Sequence, residues 1–102
     1  MFDASLNNPG ELALRGSVTL DGLVAATGQV DELLEKGLEE EGAATLEVNL
    51  ADIHIEGTAI LLLLLHIQRL AAKQGIAQPT FTNAPPQLTQ LARPFGLADL
   101  LF

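Results

Sequence analysis

The sequence predicts an α/β protein in which three to four helices cover a mixed, mostly parallel β-sheet of four to five strands. Short strand-like segments alternate with longer helical segments along the chain, and clusters of Gly, Pro and Asn separate them. Hydrophobic residues make up 48% of the chain and charged residues 18%, a composition typical of a chain that buries a core. A length of 102 residues suits one domain, and we expect a single domain over residues 1–102.

The first half of the chain predicts a strand pair followed by a helix. After a turn at 7–10, apolar and polar residues alternate over 12–20 with a break at Arg15-Gly16, which predicts one bent strand or a hairpin at an antiparallel edge of the sheet. We expect Asp21 to cap a helix that extends to about Lys36 and ends at Gly37.

The second half predicts two strands and two helices. Residues 45–50 alternate as a strand, and a loop over 51–57 leads to a long helix over 58–74 with Thr58 as its N-cap. A strand within 76–82 contains Pro79, so we expect it at a sheet edge or beginning after the proline. A short helix over 87–95 then follows two prolines, Gly96 ends it, and an apolar tail over 97–102 packs on the core.

Composition excludes several functional classes. The chain has no cysteine, and its two histidines, His54 and His66, show no metal-binding spacing, so we expect no metal, no cofactor and no catalytic residues. The net charge of −8 repels phosphate backbones, which argues against nucleic-acid binding. Residues 1–8 contain no basic segment followed by an apolar stretch, so we expect no secretory signal, and the longest apolar run, 59–65, is too short to span a bilayer. We therefore expect a cytoplasmic protein without direct membrane insertion.

The informative segment is the polar loop that ends at Gly57-Thr58. In open α/β sheets, ligands and modifications gather at the carboxyl ends of strands, where a helix N-terminus stabilises negative charge. The hydroxyl of Thr58 is therefore in a favourable position for a phosphate, although Thr58 can equally serve only as a helix cap.

The same segment carries a resemblance to a known family. The run 48–53, followed by Gly57-Thr58 and the long helix up to Gly75, resembles the signature of STAS domains, in which a strand leads through a short loop to Asp-Ser/Thr-x-Gly at a helix start. The resemblance extends to 11–16, to 81–85 and to 95–97.

Two registers against the family motif are open. Without gaps, Thr58 falls on the family's Ser/Thr acceptor, Gly57 replaces the preceding Asp and Ile60 replaces the glycine. A one-residue deletion supplies an acid at Glu56 but a glycine at the acceptor position. We prefer the gapless register, because the shift would rotate the faces of a packed helix by about 100°.

The resemblance implies a non-enzymatic protein-interaction module. Residues 63–66 and 70–75 are most similar to the small STAS subunit of the bacterial phospholipid-transport ABC complex (Mla type), which implies binding to the transporter's ATPase. The alternative is an anti-sigma factor antagonist, which binds an anti-sigma factor under the control of phosphorylation. An enzyme or ligand-binding α/β domain is a third hypothesis, disfavoured by the lack of catalytic motifs.

We expect partner contacts and the possible phosphoacceptor at the start of the long helix, at Glu56, Gly57, Thr58, Ala59, Leu61 and Leu62. This helix is apolar on every face over 59–65, so neighbouring helices cover part of it or an exposed patch remains for a partner.

Overall fold

Four strands and three α-helices alternate along the chain in the computed structural model, which describes residues 2–8, 10–41, 46–75, 79–97 and 101. In chain order the elements are β1 (Phe2–Asn8), β2 (Glu11–Gly16), α1 (Leu23–Glu41), β3 (Glu47–Ile53), α2 (Ala59–Lys73), β4 (Thr80–Thr82) and α3 (Pro86–Ala92), followed by a 3₁₀ turn (Arg93–Phe95).

The strands form one sheet in the order β1-β2-β3-β4. β1 pairs antiparallel with β2, with Ala4 opposite Leu14, whereas β2, β3 and β4 are parallel, with Val48 beside both Leu12 and Phe81. This arrangement confirms the predicted mixed, mostly parallel sheet with an antiparallel N-terminal edge.

The segment that forms the antiparallel edge differs from the prediction. The edge strand is β1, whereas residues 17–20 leave the sheet after Gly16, which has a φ of 86°. Phe2, Ala4 and Leu6 are partly buried against the core, while Leu20 is 70% exposed. The alternation of Phe2, Ala4 and Leu6 with polar residues was a period-two signal for this strand.

Helix α1 also departs from its predicted bounds. Asp21 lies in a turn rather than at the N-cap, and the helix continues through Gly37 to Glu41. A glycine inside a helix costs only about 1 kcal/mol relative to alanine, and the good helix formers around Gly37 offset that cost. β3 extends to Ile53, beyond the predicted end at Leu50, and Thr45 lies outside the described residues.

The other predicted elements are confirmed within a residue or two. α2 covers 59–73, and β4 begins just after Pro79 at the edge of the sheet. α3 begins at Pro86, and Gly96 adopts a φ of 69° just after the 3₁₀ turn. In the C-terminal tail, Leu97 is partly buried and Leu101 is buried, while 98–100 and 102 lie outside the described residues.

The topology places the starts of α1 and α2 together. Each helix connects neighbouring parallel strands, and right-handed crossovers in one direction put both helices on the same face of the sheet. Because α1 and α2 each follow a parallel strand, both begin at the carboxyl ends of the strands and run parallel to each other. The two helices are also in contact.

The core lies beneath these helices. Its largest fully buried side chains come from β2, β3, α1, α2 and α3, and include Leu12, Leu14, Leu34, Val48, Leu50, Ile60, Leu63, Leu64, Ile67 and Leu88. In the part of the chain that the structure describes, no helix has the length and apolar character needed to cross a membrane.

Candidate functional site

The loop over 54–58 connects the end of β3 to α2 at the carboxyl edge of the sheet. The His54 N–H donates a hydrogen bond of 2.8 Å to the Gly16 carbonyl, which holds the start of this loop against the end of β2. Glu56, Gly57 and Thr58 are exposed. The predicted site residues in the loop therefore lie on the surface.

Thr58 occupies the N-cap position of α2 but does not cap the helix with its side chain. Its φ and ψ are −88° and −9°, and its hydroxyl makes no capping hydrogen bond. A Thr side chain caps a helix when its backbone is in the extended region, which places the oxygen over the free N–H groups. Thr58 is therefore at the predicted N-cap position, but capping by its side chain is not observed.

Gly57 has a backbone conformation that other residues rarely adopt. Its φ is +129°, and no atom lies within 4 Å of the position that a Cβ would take. A side chain here would be limited by backbone strain rather than by space. In the gapless register, Gly57 stands where the STAS motif has aspartate, and an aspartate would occupy this conformation only with strain.

The predicted contact residues on α2 divide into two groups. Ala59 and Leu61 are each 2% exposed and belong to the core, whereas Leu62 is 47% exposed. Both predicted explanations of the apolar helix therefore apply in part: neighbouring elements cover most of 59–65, and Leu62 remains on the surface.

Leu62 forms part of an apolar groove with a residue that the sequence did not single out. Thr58, Leu61, Leu62, Phe95 and Leu97 surround a groove of about 140 Å³, and Phe95 is 58% exposed. We call the exposed part of this groove, Thr58, Leu62 and Phe95, the α2 surface. The sequence shows a Phe just before the helix-ending Gly96, but nothing in the sequence indicates that this Phe lies beside α2.

The α2 surface adjoins the first turns of α1. His66 Nε2 lies 2.5 Å from Asp31 Oδ1, which fixes the two helices side by side. Leu62 lies about one turn before His66, and Val24, which is 82% exposed, lies two turns before Asp31. Val24 is therefore an exposed apolar residue on the same side of α1 as Asp31, which contacts α2.

Polar contacts also order the neighbouring loop after β4. Asn49 Oδ1 accepts hydrogen bonds from the Ala51 N–H at 3.0 Å and from Asn83 Nδ2 at 3.1 Å. Asn83 has a φ of 57°, which Asn tolerates better than most residues. The bond from Asn83 links the residue after β4 to the middle of β3, and the bond from Ala51 orders the Asn49 side chain that accepts it.

The two histidines lie on different elements, His54 in the loop after β3 and His66 in α2. His54 is exposed, and His66 Nε2 is hydrogen-bonded to Asp31 Oδ1. The described residues contain no group of three or more side chains able to hold a metal ion. The prominent features of the edge are therefore apolar and hydrogen-bonding surfaces.

Comparison with solved structures identifies the architecture. No family model matches the sequence, and no curated protein is similar to it at a significant level. The structure of the anti-sigma factor antagonist SpoIIAA in its unphosphorylated form superimposes with a TM-score of 0.70 at 14% identity, covering 100% of this chain and 86% of that one. With a mixed four-stranded sheet, three helices and this superposition over its full length, the chain has the STAS fold.

Proposed function

We propose that this protein is a non-enzymatic interaction module that binds a partner protein through the α2 surface. The observation that carries the proposal is the apolar groove at Thr58, where Leu62 and Phe95 remain exposed although the rest of this part of α2 is buried. Binding energy in interfaces is concentrated in a few side chains that fill pockets, and aromatic residues are enriched among them.

The chemistry of the surface supports binding without catalysis. A hydroxyl needs a neighbouring base to become a nucleophile, and within the described residues the Thr58 hydroxyl has no hydrogen bond to a histidine or carboxylate. The same hydroxyl is exposed at the rim of an apolar groove, where it can donate to or accept from a partner's backbone. A polar group at the rim of an apolar contact is a common arrangement in protein interfaces.

The ATPase of a phospholipid-transport ABC complex of the Mla type is our first candidate for the partner. The resemblance of 63–66 and 70–75 to the small STAS subunit of that complex supports it. Gly57 supports it as well, because the acid of the phosphorylation motif is missing and position 57 has a conformation that suits glycine. The proposal is constitutive docking on the cytoplasmic side of the membrane.

An anti-sigma factor is the second candidate partner. The likeness to the antagonist SpoIIAA favours it, although at 14% identity that likeness concerns the fold. The exposed hydroxyl of Thr58, which takes no part in capping, is accessible to a kinase. In this alternative, a phosphate on Thr58 would add about two negative charges to an apolar contact and release the partner.

The test of the docking surface compares two variants on one helix. Leu62→Asp places a charge in the α2 surface, and Ala72→Asp places the same charge at an exposed position near the other end of α2. We expect Leu62→Asp to weaken partner binding at least about tenfold and Ala72→Asp to leave it unchanged. Both proteins should keep the wild-type circular dichroism spectrum. Equal affinities for the two variants would contradict docking through this surface.

The test of the partner is co-purification from the native cells at endogenous expression, with Leu62→Asp as the negative control. Recovery of an ABC-type ATPase with its permease, lost in Leu62→Asp, supports the first candidate. Recovery of a soluble kinase-like anti-sigma factor, together with a phosphate mass on Thr58, supports the second. We expect the ATPase and an unmodified Thr58.

A further inference from the structure

A second cavity lies at the same carboxyl edge of the sheet, and Glu56, two residues before Thr58, is part of its wall. It has a volume of about 230 Å³ and lies between the start of β1, the segment after β2 and the first turns of α1. Its walls include the apolar side chains of Phe2, Ala25 and Ala26 and the polar side chains of Ser17, Gln29 and Glu56. Of the residues expected to contact a partner, Glu56 is in the wall of this cavity, whereas the other wall residues were not singled out by the sequence.

The polar groups of this cavity offer acceptors to a ligand. Within the described part of the chain, the Glu56 carboxylate has no ion pair or hydrogen bond, and neither does the Ser17 hydroxyl. Gln29 Oε1 accepts a hydrogen bond of 3.1 Å from the Ala4 N–H and keeps its second lone pair. An unpaired carboxylate beside other oxygen acceptors favours a cation that carries several donors.

We infer that this cavity binds an arginine side chain of the partner, next to the apolar contact at the α2 surface. Arginine has an apolar stem that suits the walls at Ala25 and Ala26, and a planar group with five N–H donors that suits the spread acceptors. The Phe2 ring in the wall adds a contact that guanidinium groups favour.

Charge and position both assign this arginine to the partner. The chain has a net charge of −8, so an oppositely charged surface is attracted to it. Glu56 lies two residues before Thr58, and Gly22 in the cavity wall lies two residues before the exposed Val24. A partner that covers the α2 surface would therefore also cover the mouth of this cavity. The inference rests on the proposed function, since it names a residue type in the same partner.

The first test needs no partner. The probe is Nα-acetyl-arginine methylamide, titrated into the ¹⁵N-labelled full chain, with the equivalent derivative of citrulline as its uncharged isostere. We expect weak binding, with a Kd on the order of millimolar, because a single exposed ion pair contributes little. The amide shifts should be concentrated on Gly22, Ala25 and Glu56, and citrulline should produce much smaller shifts.

Matched variants locate the charge that is responsible. Glu56→Gln should weaken the binding of the arginine probe at least about fivefold, whereas Glu47→Gln, which removes the same charge from an exposed position at the amino end of β3, should not. Small shifts spread over all acidic residues, equal binding of citrulline, or no effect of Glu56→Gln would each overturn the inference.

The second test separates this inference from the docking proposal. Leu62→Asp should leave the binding of the arginine probe unchanged, because Leu62 is not in the wall of this cavity. If the α2 surface is not a docking site, Leu62→Asp would also leave the partner's affinity unchanged, while the probe would still bind at Glu56. With the captured partner, Glu56→Gln should weaken the complex and Glu47→Gln should not. If the probe binds at Glu56 but Glu56→Gln leaves the affinity for the partner unchanged, the assignment of the arginine to the partner is wrong.

Discussion

The backbone at Gly57 determines how the loop over 54–58 turns into α2. A φ of +129° is accessible to glycine and strained for any residue with a Cβ, while the space around the position is open. Gly28 offers the opposite case, since it lies in the middle of α1, is exposed and has no neighbour within 4 Å of a Cβ. The same substitution therefore has opposite consequences at the two positions.

We predict that Gly57→Ala lowers the free energy of unfolding by about 1–2 kcal/mol, because its backbone would be strained. Gly28→Ala should raise it by about 0.5–1 kcal/mol, because alanine is the better helix former. In a domain of this size, a change of 1 kcal/mol shifts Tm by roughly 4–8 °C, so differential scanning calorimetry separates the two. A stabilising Gly57→Ala would mean that the loop adopts a different backbone.

Thr58 permits a second prediction at this scale. An ordinary Thr cap loses about 1 kcal/mol when it is replaced by Ala, but here the hydroxyl makes no capping hydrogen bond. We therefore expect Thr58→Ala to change the urea midpoint by less than the equivalent of about 0.5 kcal/mol. If Thr58 contacts the partner, the same variant should bind more weakly although its stability is unchanged. A loss of 1 kcal/mol or more would show that the hydroxyl caps α2 after all.

At the scale of the element, α2 shows what the sequence could and could not predict. Its bounds followed from Gly57-Thr58 at one end and Gly75 at the other, and the structure agrees to within a residue. Its exposed face did not follow, because 59–65 has no polar residue to mark a surface. Only the packing of the sheet, α1 and the chain after α3 selects Leu62 as the exposed position.

The strands and α1 show the same limits for other reasons. β1 carried a period-two signal that the polar residues around it obscured. α1 continues through Gly37 because the helix formers after this glycine outweigh one unfavourable residue. At the candidate site, the sequence proposed Gly57 and Thr58 from their position after a strand. Phe95 was missed because contacts between distant segments depend on the tertiary fold.

We predict a large difference in stability between two adjacent leucines of α2. Leu61 is 2% exposed, so Leu61→Ala should lower the free energy of unfolding by about 3 kcal/mol through lost burial and a remaining cavity. Leu62 is 47% exposed, and Leu62→Ala should change it by less than about 1 kcal/mol. Chemical denaturation with unchanged m-values would measure both. Similar losses at the two positions would mean that the helix is rotated relative to its described orientation.

At the scale of the whole molecule, the acidic surface works against the fold. The chain has thirteen acidic and five basic residues, and a radius of gyration of only 12.6 Å brings these charges close together. One repulsive pair is built into the sheet, because Glu11 and Glu47 are neighbours on the parallel strands β2 and β3. Like charges at such positions destabilise a sheet by a few tenths of a kcal/mol. A surface of this kind is consistent with binding a basic partner, which would relieve the repulsion.

We therefore predict that NaCl stabilises the isolated protein. Salt screens repulsion beyond a Debye length of about 10 Å at 0.1 M, a distance comparable to the radius of the molecule, so Tm should rise steeply up to about 0.2 M and then level off. Glu47→Lys, which reduces the net negative charge by two and removes the repulsion with Glu11, should have a higher Tm than the wild type at low salt and a shallower rise with NaCl. Chloride is the suitable anion, because sulfate stabilises most proteins by exclusion from their surface and would mask the effect. A Tm that is independent of NaCl, or a salt dependence that Glu47→Lys leaves unchanged, would show that self-repulsion contributes little to the stability of this fold.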